Sequence, residues 1–106
     1  MGHPVMDAQV ISTGYVHSGT RPESTLLVVE DDEQVRRALH RVLRRAPCRV
    51  LDASDAETAV RILEREPVQA IVSDHRMPGT TGIELLRSVK ERWPRVQRVL
   101  LTGQAD

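Results

Sequence analysis

Four short apolar blocks, "LLVV" (26–29), "CRVLDA" (48–53), "QAIVS" (69–73) and "QRVLL" (97–101), recur along the chain with an amphipathic stretch between successive blocks. Continuous Val-, Leu- and Ile-rich runs of this length suit strands covered on both faces, with the second block as an edge strand. The intervening stretches carry a helical period. Val35, Ala38, Leu39, Val42 and Leu43 fall at i, i+3, i+4, i+7 and i+8 of one helix. Its start is acidic and its end is Arg44-Arg45, which complements the helix dipole at both ends, and Pro47 stops it. Asp55 is placed to cap a second helix bearing Ala56, Ala59, Val60 and Leu63 on one face, closed by Pro67. Ile83, Leu86, Val89, Lys90 and Trp93 mark a third, ended by Pro94. The alternation β-α-β-α-β-α-β with right-handed crossovers predicts an α/β fold, a doubly wound parallel sheet with helices on both faces.

Length and composition agree with one small domain. The chain has 106 residues, 40% of them hydrophobic but only 2% aromatic, so the core must be aliphatic. Lys+Arg and Asp+Glu number 15 each, and this balance gives no global signal for nucleic acid. Arg36, Arg37, Arg41, Arg44, Arg45 and Arg49 form a local basic segment, read as a solvated helix face. The single cysteine, Cys48, excludes an intrachain disulfide and is read as a small core residue compatible with a reducing compartment. No apolar run reaches the ~18 residues of a membrane span, and the N-terminus lacks a signal-peptide pattern, so the cytoplasm is the expected location. Residues 1 to 24, rich in Gly, Ser, Thr and Pro, read as a flexible N-terminal extension in which His3 and His17 have no role; residues 25–106 form the domain.

The strand ends carry the chemistry. In a parallel sheet Glu30-Asp31-Asp32, Ser73-Asp74 and Thr102 share the carboxyl edge, where open α/β sheets bind ligands. Taken alone, Asp31 with Gln34 three residues later resembles a helix capping box, which leaves Glu30 unexplained. If the first and third of the four strands are neighbours, Glu30, Asp31 and Asp74 converge. Carboxylates so close raise one another's pKa unless a hard cation sits among them, and Mg²⁺ suits a few carboxylates and several waters. A carboxylate beside such a cation is a potential nucleophile toward phosphorus. Thr102 offers a hydroxyl at the same edge, Gly103 leaves room beside it, and the N–H groups after Asp74 offer further donors. Met77-Pro78-Gly79 shapes the turn, Gly82 serves backbone conformation or close helix approach, and His75 is expected to be exposed and without a role.

"LLVVEDDEQVRRAL", "AIVSDHRMPGTTGIELL" and "VLLTG", from about Thr25 to Asp106, together resemble the receiver domain of two-component response regulators of bacteria. The resemblance implies a flavodoxin-like receiver topology. It implies Asp74 as phosphoacceptor, Thr102 as the switch hydroxyl, and a Mg²⁺ site of Glu30 (through water), Asp31, Asp74 and the backbone carbonyl of Arg76. It implies a sensor histidine kinase or phosphotransfer protein as phosphodonor and an output module as recipient of the signal, with neither nucleic-acid nor membrane contact by the domain itself and no enzymatic activity beyond its own phosphorylation. The wording "DHRMPGTTG…TGQAD" also looks like receivers placed ahead of cyclic-di-GMP phosphodiesterase domains.

The family pattern continues beyond a fourth strand with a further helix, strand and helix and a phosphoryl-contacting lysine. Here no Lys follows Thr102, the only one being Lys90. An incomplete domain is therefore expected, with an unprotected strand at "RVLL", apolar surface left at the first helix, and a homodimer covering them. A non-phosphorylated receiver fold acting through protein contacts is the alternative. A Mg²⁺-dependent phosphatase of related topology is disfavoured, because Arg76 stands where that class wants a second acid.

Overall fold

The computed structural model describes residues 24–103 and, by their backbone, residues 8–12. The elements are β1 (Ala8–Ser12), β2 (Thr25–Val29), α1 (Glu33–Leu43), β3 (Arg49–Ala53), α2 (Ala56–Arg65), β4 (Ala70–Asp74), α3 (Gly82–Arg92) and β5 (Gln97–Gly103). They form one five-stranded sheet in the order β1-β5-β4-β2-β3. The four strands foreseen from the apolar blocks are all parallel to one another. Strand order reverses at β2, which has β3 on one side and β4 on the other, so the switch point and its crevice lie at the carboxyl ends of β2 and β4.

Alternation along the strands separates two faces. On one, Leu27 and Val29 of β2, Ile71 of β4 and Leu100 of β5 pack with Ala59 and Leu63 of α2 and with Leu85, Leu86 and Val89 of α3. The other face carries α1, which contacts β2 and β3 and, among the described residues, no other helix. No residue of α1 is fully buried, and Val42, central in the apolar stripe read from sequence, is 71% exposed. The sheet covers only one flank of that stripe, so the surplus apolar surface expected at this helix is present. In α3 the buried set is Gly82, Leu85, Leu86 and Val89, whereas Ile83 is 39% exposed. The helix starts at Gly82, which rotates the inward stripe so that Leu85 replaces Ile83.

The N-terminal reading needs correction. Within the supposed flexible extension, Ala8–Ser12 is a strand, antiparallel to β5 with Val10 opposite Leu101 and Ser12 opposite Val99. The expected unprotected edge at "RVLL" is therefore paired, and the homodimer argument loses that premise. "AQVIS" is short, and its β-branched Val10 and Ile11 gain a ladder only from a distant strand, which no local pattern announces. The remainder of the extension lies outside the described residues.

Deleting residues 1–12 should destabilise the chain by about 1–3 kcal/mol in urea titrations, since each ladder hydrogen bond is worth about 1 kcal/mol net. It should also raise self-association in sedimentation by uncovering the β5 edge. Unchanged stability in the deleted chain would mean that β1 contributes nothing there.

Candidate functional site

The pairing of β2 with β4 builds the site. Val29 lies opposite Ser73, so the next residues, Glu30 and Asp74, emerge side by side at the carboxyl edge. Carboxylate oxygens of Glu30, Asp31 and Asp74 all lie within 4.8 Å of one another. Asp74 pairs with Leu101 of β5, and Thr102, half-buried, follows at the same edge.

Glu30 is the buried member, 4% exposed. Its N–H donates to the Ala53 carbonyl at 3.0 Å, its own carbonyl accepts from Arg36 Nη1 at 2.9 Å, and its Oε2 accepts from the Asp32 N–H at 3.0 Å. Burial pushes its pKa from 4.5 up to about 7; the Asp32 N–H opposes the rise, and the charges of Asp74 and Asp31 add to it. Asp74 is also raised, first by burial and then by the charge of Asp31, while the N–H groups of His75 and Arg76 pull it down.

The capping reading of Asp31 is corrected. The N-cap of α1 is Asp32, whose Oδ1 accepts from the Val35 N–H at 3.0 Å. The cap sits one residue later than the Asp31–Gln34 pair suggests, and Asp31 is left to the carboxylate cluster, at the exposed rim. Asp55 caps α2 as expected, accepting from the Thr58 N–H at 2.7 Å.

Other groups fix the backbone at Asp74. Ser73, fully buried, donates its hydroxyl to the Asp74 carbonyl at 2.9 Å. The His75 N–H reaches the Leu101 carbonyl at 3.2 Å, and the Gly82 N–H reaches the His75 carbonyl at 3.0 Å. His75 is half-buried rather than exposed, and its Nδ1 is buried without a hydrogen-bond partner among the described residues. Gly79 adopts φ +80°, as its turn requires. Thr81 and Glu84 form a reciprocal capping box at α3, a Thr-x-x-Glu pattern legible in "TGIE" once the helix start is known. A Cβ on Gly82 would overlap the Asp74 carbonyl oxygen and come within 2.9 Å of His75 Cα. The end of β4 at Asp74-His75 and the first turn of α3 are thus in backbone contact.

The donor set is all oxygen and all carboxylate, which suits a small hard cation and not a thiolate- or imidazole-seeking metal. Arg76 is exposed, and its backbone N–H faces the Asp74 carboxylate. Among the described residues no helix is long and apolar enough to cross a membrane.

Comparison with known proteins then decides the family: the model of the response regulator receiver domain matches residues 26–106. The chain belongs to the response regulator receiver domain family. It is 44% identical over 84 residues to the hydrogenase transcriptional regulatory protein HoxA of Cupriavidus necator, covering 79% of this chain and 17% of that protein. To the C4-dicarboxylate transport transcriptional regulatory protein DctD of Pseudomonas aeruginosa it is 33% identical over 84 residues, covering 79% of this chain and 18% of that one. The signal receiver domain of an HD domain-containing protein from Pseudomonas fluorescens superimposes with a TM-score of 0.75 at 28% identity, over 79% of this chain and 67% of that one. The chain spans about a sixth of the length of the curated relatives it matches. The receiver domain's flavodoxin-like topology, expected from the motifs, is the one observed in its parallel four-stranded part.

Two outcomes follow from the geometry. Gly82→Ala should cost about 1–3 kcal/mol in denaturant titrations, because the helix and the backbone at Asp74-His75 must part to admit the methyl; an unchanged midpoint would mean that the α3 start yields freely. For Glu30, a folded pKa above the ordinary one means that its contribution to stability is full below about pH 4.5 and is lost as pH rises through about 7. Without divalent cation, Glu30→Gln should therefore raise Tm near pH 8 and change it little near pH 5. Cation binding favours the ionised form, so Mg²⁺ should stabilise the wild-type chain more near pH 8 than near pH 5. An equal effect of Mg²⁺ at both pH values would show that Glu30 does not sense the ion.

Proposed function

We propose that this receiver domain is a phosphoacceptor that takes a phosphoryl group onto Asp74 from a phosphohistidine of a sensor kinase or phosphotransfer protein. The convergence of Glu30, Asp31 and Asp74 at the switch point of the sheet is the observation that carries this reading. A carboxylate oxygen of Asp74 attacks phosphorus, the O–P bond forms, and the P–N bond to the donor imidazole breaks, leaving the neutral ring after protonation. Asp31 and Asp74 would hold Mg²⁺ directly, Glu30 would act through water, and the Arg76 carbonyl would complete the protein's share. Bound there, Mg²⁺ would offset the charge of the incoming phosphoryl group and of the transition state. The N–H of Arg76, directed at the Asp74 carboxylate, is a ready donor for a phosphoryl oxygen. The Thr102 hydroxyl would close on the phosphoryl group and carry the change into β5.

HoxA, DctD and NtrC are named as transcriptional regulators, and this chain covers only their receiver-sized portion. A transcriptional output in the longer protein is therefore the favoured recipient of the signal, ahead of the phosphodiesterase output that the motif wording resembles.

With Mg²⁺ and acetyl phosphate, mass spectrometry should find one added phosphoryl group on the wild-type chain and none on Asp74→Asn. Undiminished labelling of the variant would sink the assignment, and an unlabelled wild-type chain would favour the binding-module alternative. In Mg²⁺ titrations Asp31→Ala should weaken binding more than Glu30→Ala, about tenfold against a few-fold, since only Asp31 is assigned as a direct ligand. The reverse order would exchange their roles.

A further inference from the structure

Away from the carboxylate cluster, the basic segment of α1 turns out not to be a uniformly solvated face. Arg36, Arg37, His40, Arg41 and Arg44 line one side of a groove of about 480 Å³, and Cys48, Val50 and Asp52 line the other. Three of these side chains are engaged: Arg36 with the Glu30 carbonyl, Arg37 with Glu33 at 2.8 Å, and His40 with Asp52 at 3.2 Å. Arg41 and Arg44 are exposed and have no ion pair or hydrogen bond among the described residues.

The far wall of the groove is an open sheet edge. Among the described residues β3 is the outermost strand, paired only with β2. The Arg49 N–H donates to Ser24 and the Ala53 carbonyl accepts from Glu30, so Arg49, Leu51 and Ala53 turn their backbone groups inward. By alternation, Val50 and Asp52 present N–H and C=O groups outward, while their side chains stand on the α1 side of the sheet. A strand added there would place every second side chain on that same side, toward Arg41 and Arg44.

We infer that the α1–β3 groove is a docking site for an extended acidic peptide segment, which adds a strand to β3 and sets carboxylates at every second residue against Arg41 and Arg44. Strand addition supplies main-chain hydrogen bonds, and the charges select the partner. Asp52 does not oppose this, because His40 already occupies its carboxylate. A duplex nucleic acid fits less well, since its phosphates only accept and would leave the C=O groups of the strand edge unpaired.

The probe is a fluorescent peptide of alternating Glu and Val, titrated into the whole chain at low salt, with alternating Lys and Val as its control. The acidic peptide should bind, the basic one should not, and affinity should fall as salt rises. The double variant Arg41→Glu, Arg44→Glu should lose about tenfold or more in affinity with an unchanged circular dichroism spectrum, since both side chains are exposed. N-methylation of the peptide on the residues that face β3 should abolish binding, and the amides of Val50 and Asp52 should shift in NMR spectra of the complex. Binding that tolerates N-methylation, equal binding of the two peptides, an unaffected double variant, or tighter binding of duplex DNA at the same arginines would each overturn the proposal.

Discussion

The register of β2 against β4 is the constraint on which the rest of the site depends. Leu27 lies opposite Ile71 and Val29 opposite Ser73, and Leu27, Ile71 and Ser73 are fully buried. A slip of one residue would turn those side chains to the other face, forfeiting about 1.5–3 kcal/mol for each large aliphatic group. Aliphatic packing below the edge therefore holds Glu30 and Asp74 together although their charges repel. Burial first raises the pKa of both groups and neighbouring carboxylate charge adds to the rise, so a proton on Glu30 would relieve the repulsion in the metal-free chain. A divalent cation would relieve it without the proton. The core thus sustains an electrostatic demand at the switch point, and that demand is the basis of the site's chemistry.

Helix α1 serves two surfaces. Its first turn belongs to the site, where Asp32 caps the helix and gives its N–H to Glu30, while Arg36 returns to the Glu30 carbonyl. Its last turns carry the exposed Arg41 and Arg44 on one flank and the exposed Val42 on the other. Because the helix rests on β2 and β3 alone, neither flank is covered by a neighbouring helix among the described residues. The cluster and the groove are consequently joined through a rigid element only a few turns long.

The parallel strands, the three helices and the acidic edge were legible because each rests on a short-range pattern: continuous apolar runs, a helical period, carboxylates at strand ends. Roles within the acidic edge came from the family resemblance. What escaped the sequence depended on contacts between distant residues. "EDDEQ" offers two adjacent caps, and the choice of Asp32 follows from Glu30 being tied to Ala53 on the neighbouring strand, which delays the helix start. Ile83 and Leu85 exchange places because Gly82 must sit against the Asp74 backbone. β1 pairs with a strand from the far end of the chain, and nothing in "AQVIS" names that partner. Ser73 looked like one more strand residue, yet its hydroxyl is spent on the Asp74 carbonyl.

That hydroxyl belongs to a set of bonds with a mechanical consequence. The main chain at Asp74 is held from three directions: by Ser73 on its carbonyl, by Leu101 on the following N–H, and by Gly82 on the following carbonyl. Were Asp74 to gain a phosphoryl group, its backbone could not retreat from the added charge without breaking those bonds or parting α3 from the end of β4. Displacement would fall instead on parts joined less tightly. The bond from His75 to β5 is the longest of the three, at 3.2 Å, against 2.9 Å and 3.0 Å for the others. β5 also carries Thr102, whose hydroxyl would find new acceptors in the phosphoryl oxygens. A firmly held turn after Asp74, beside a strand that carries Thr102, would direct such a response outward, toward the edge that β1 covers. Pairing along that edge is where the two phosphorylation states of such a domain should differ most.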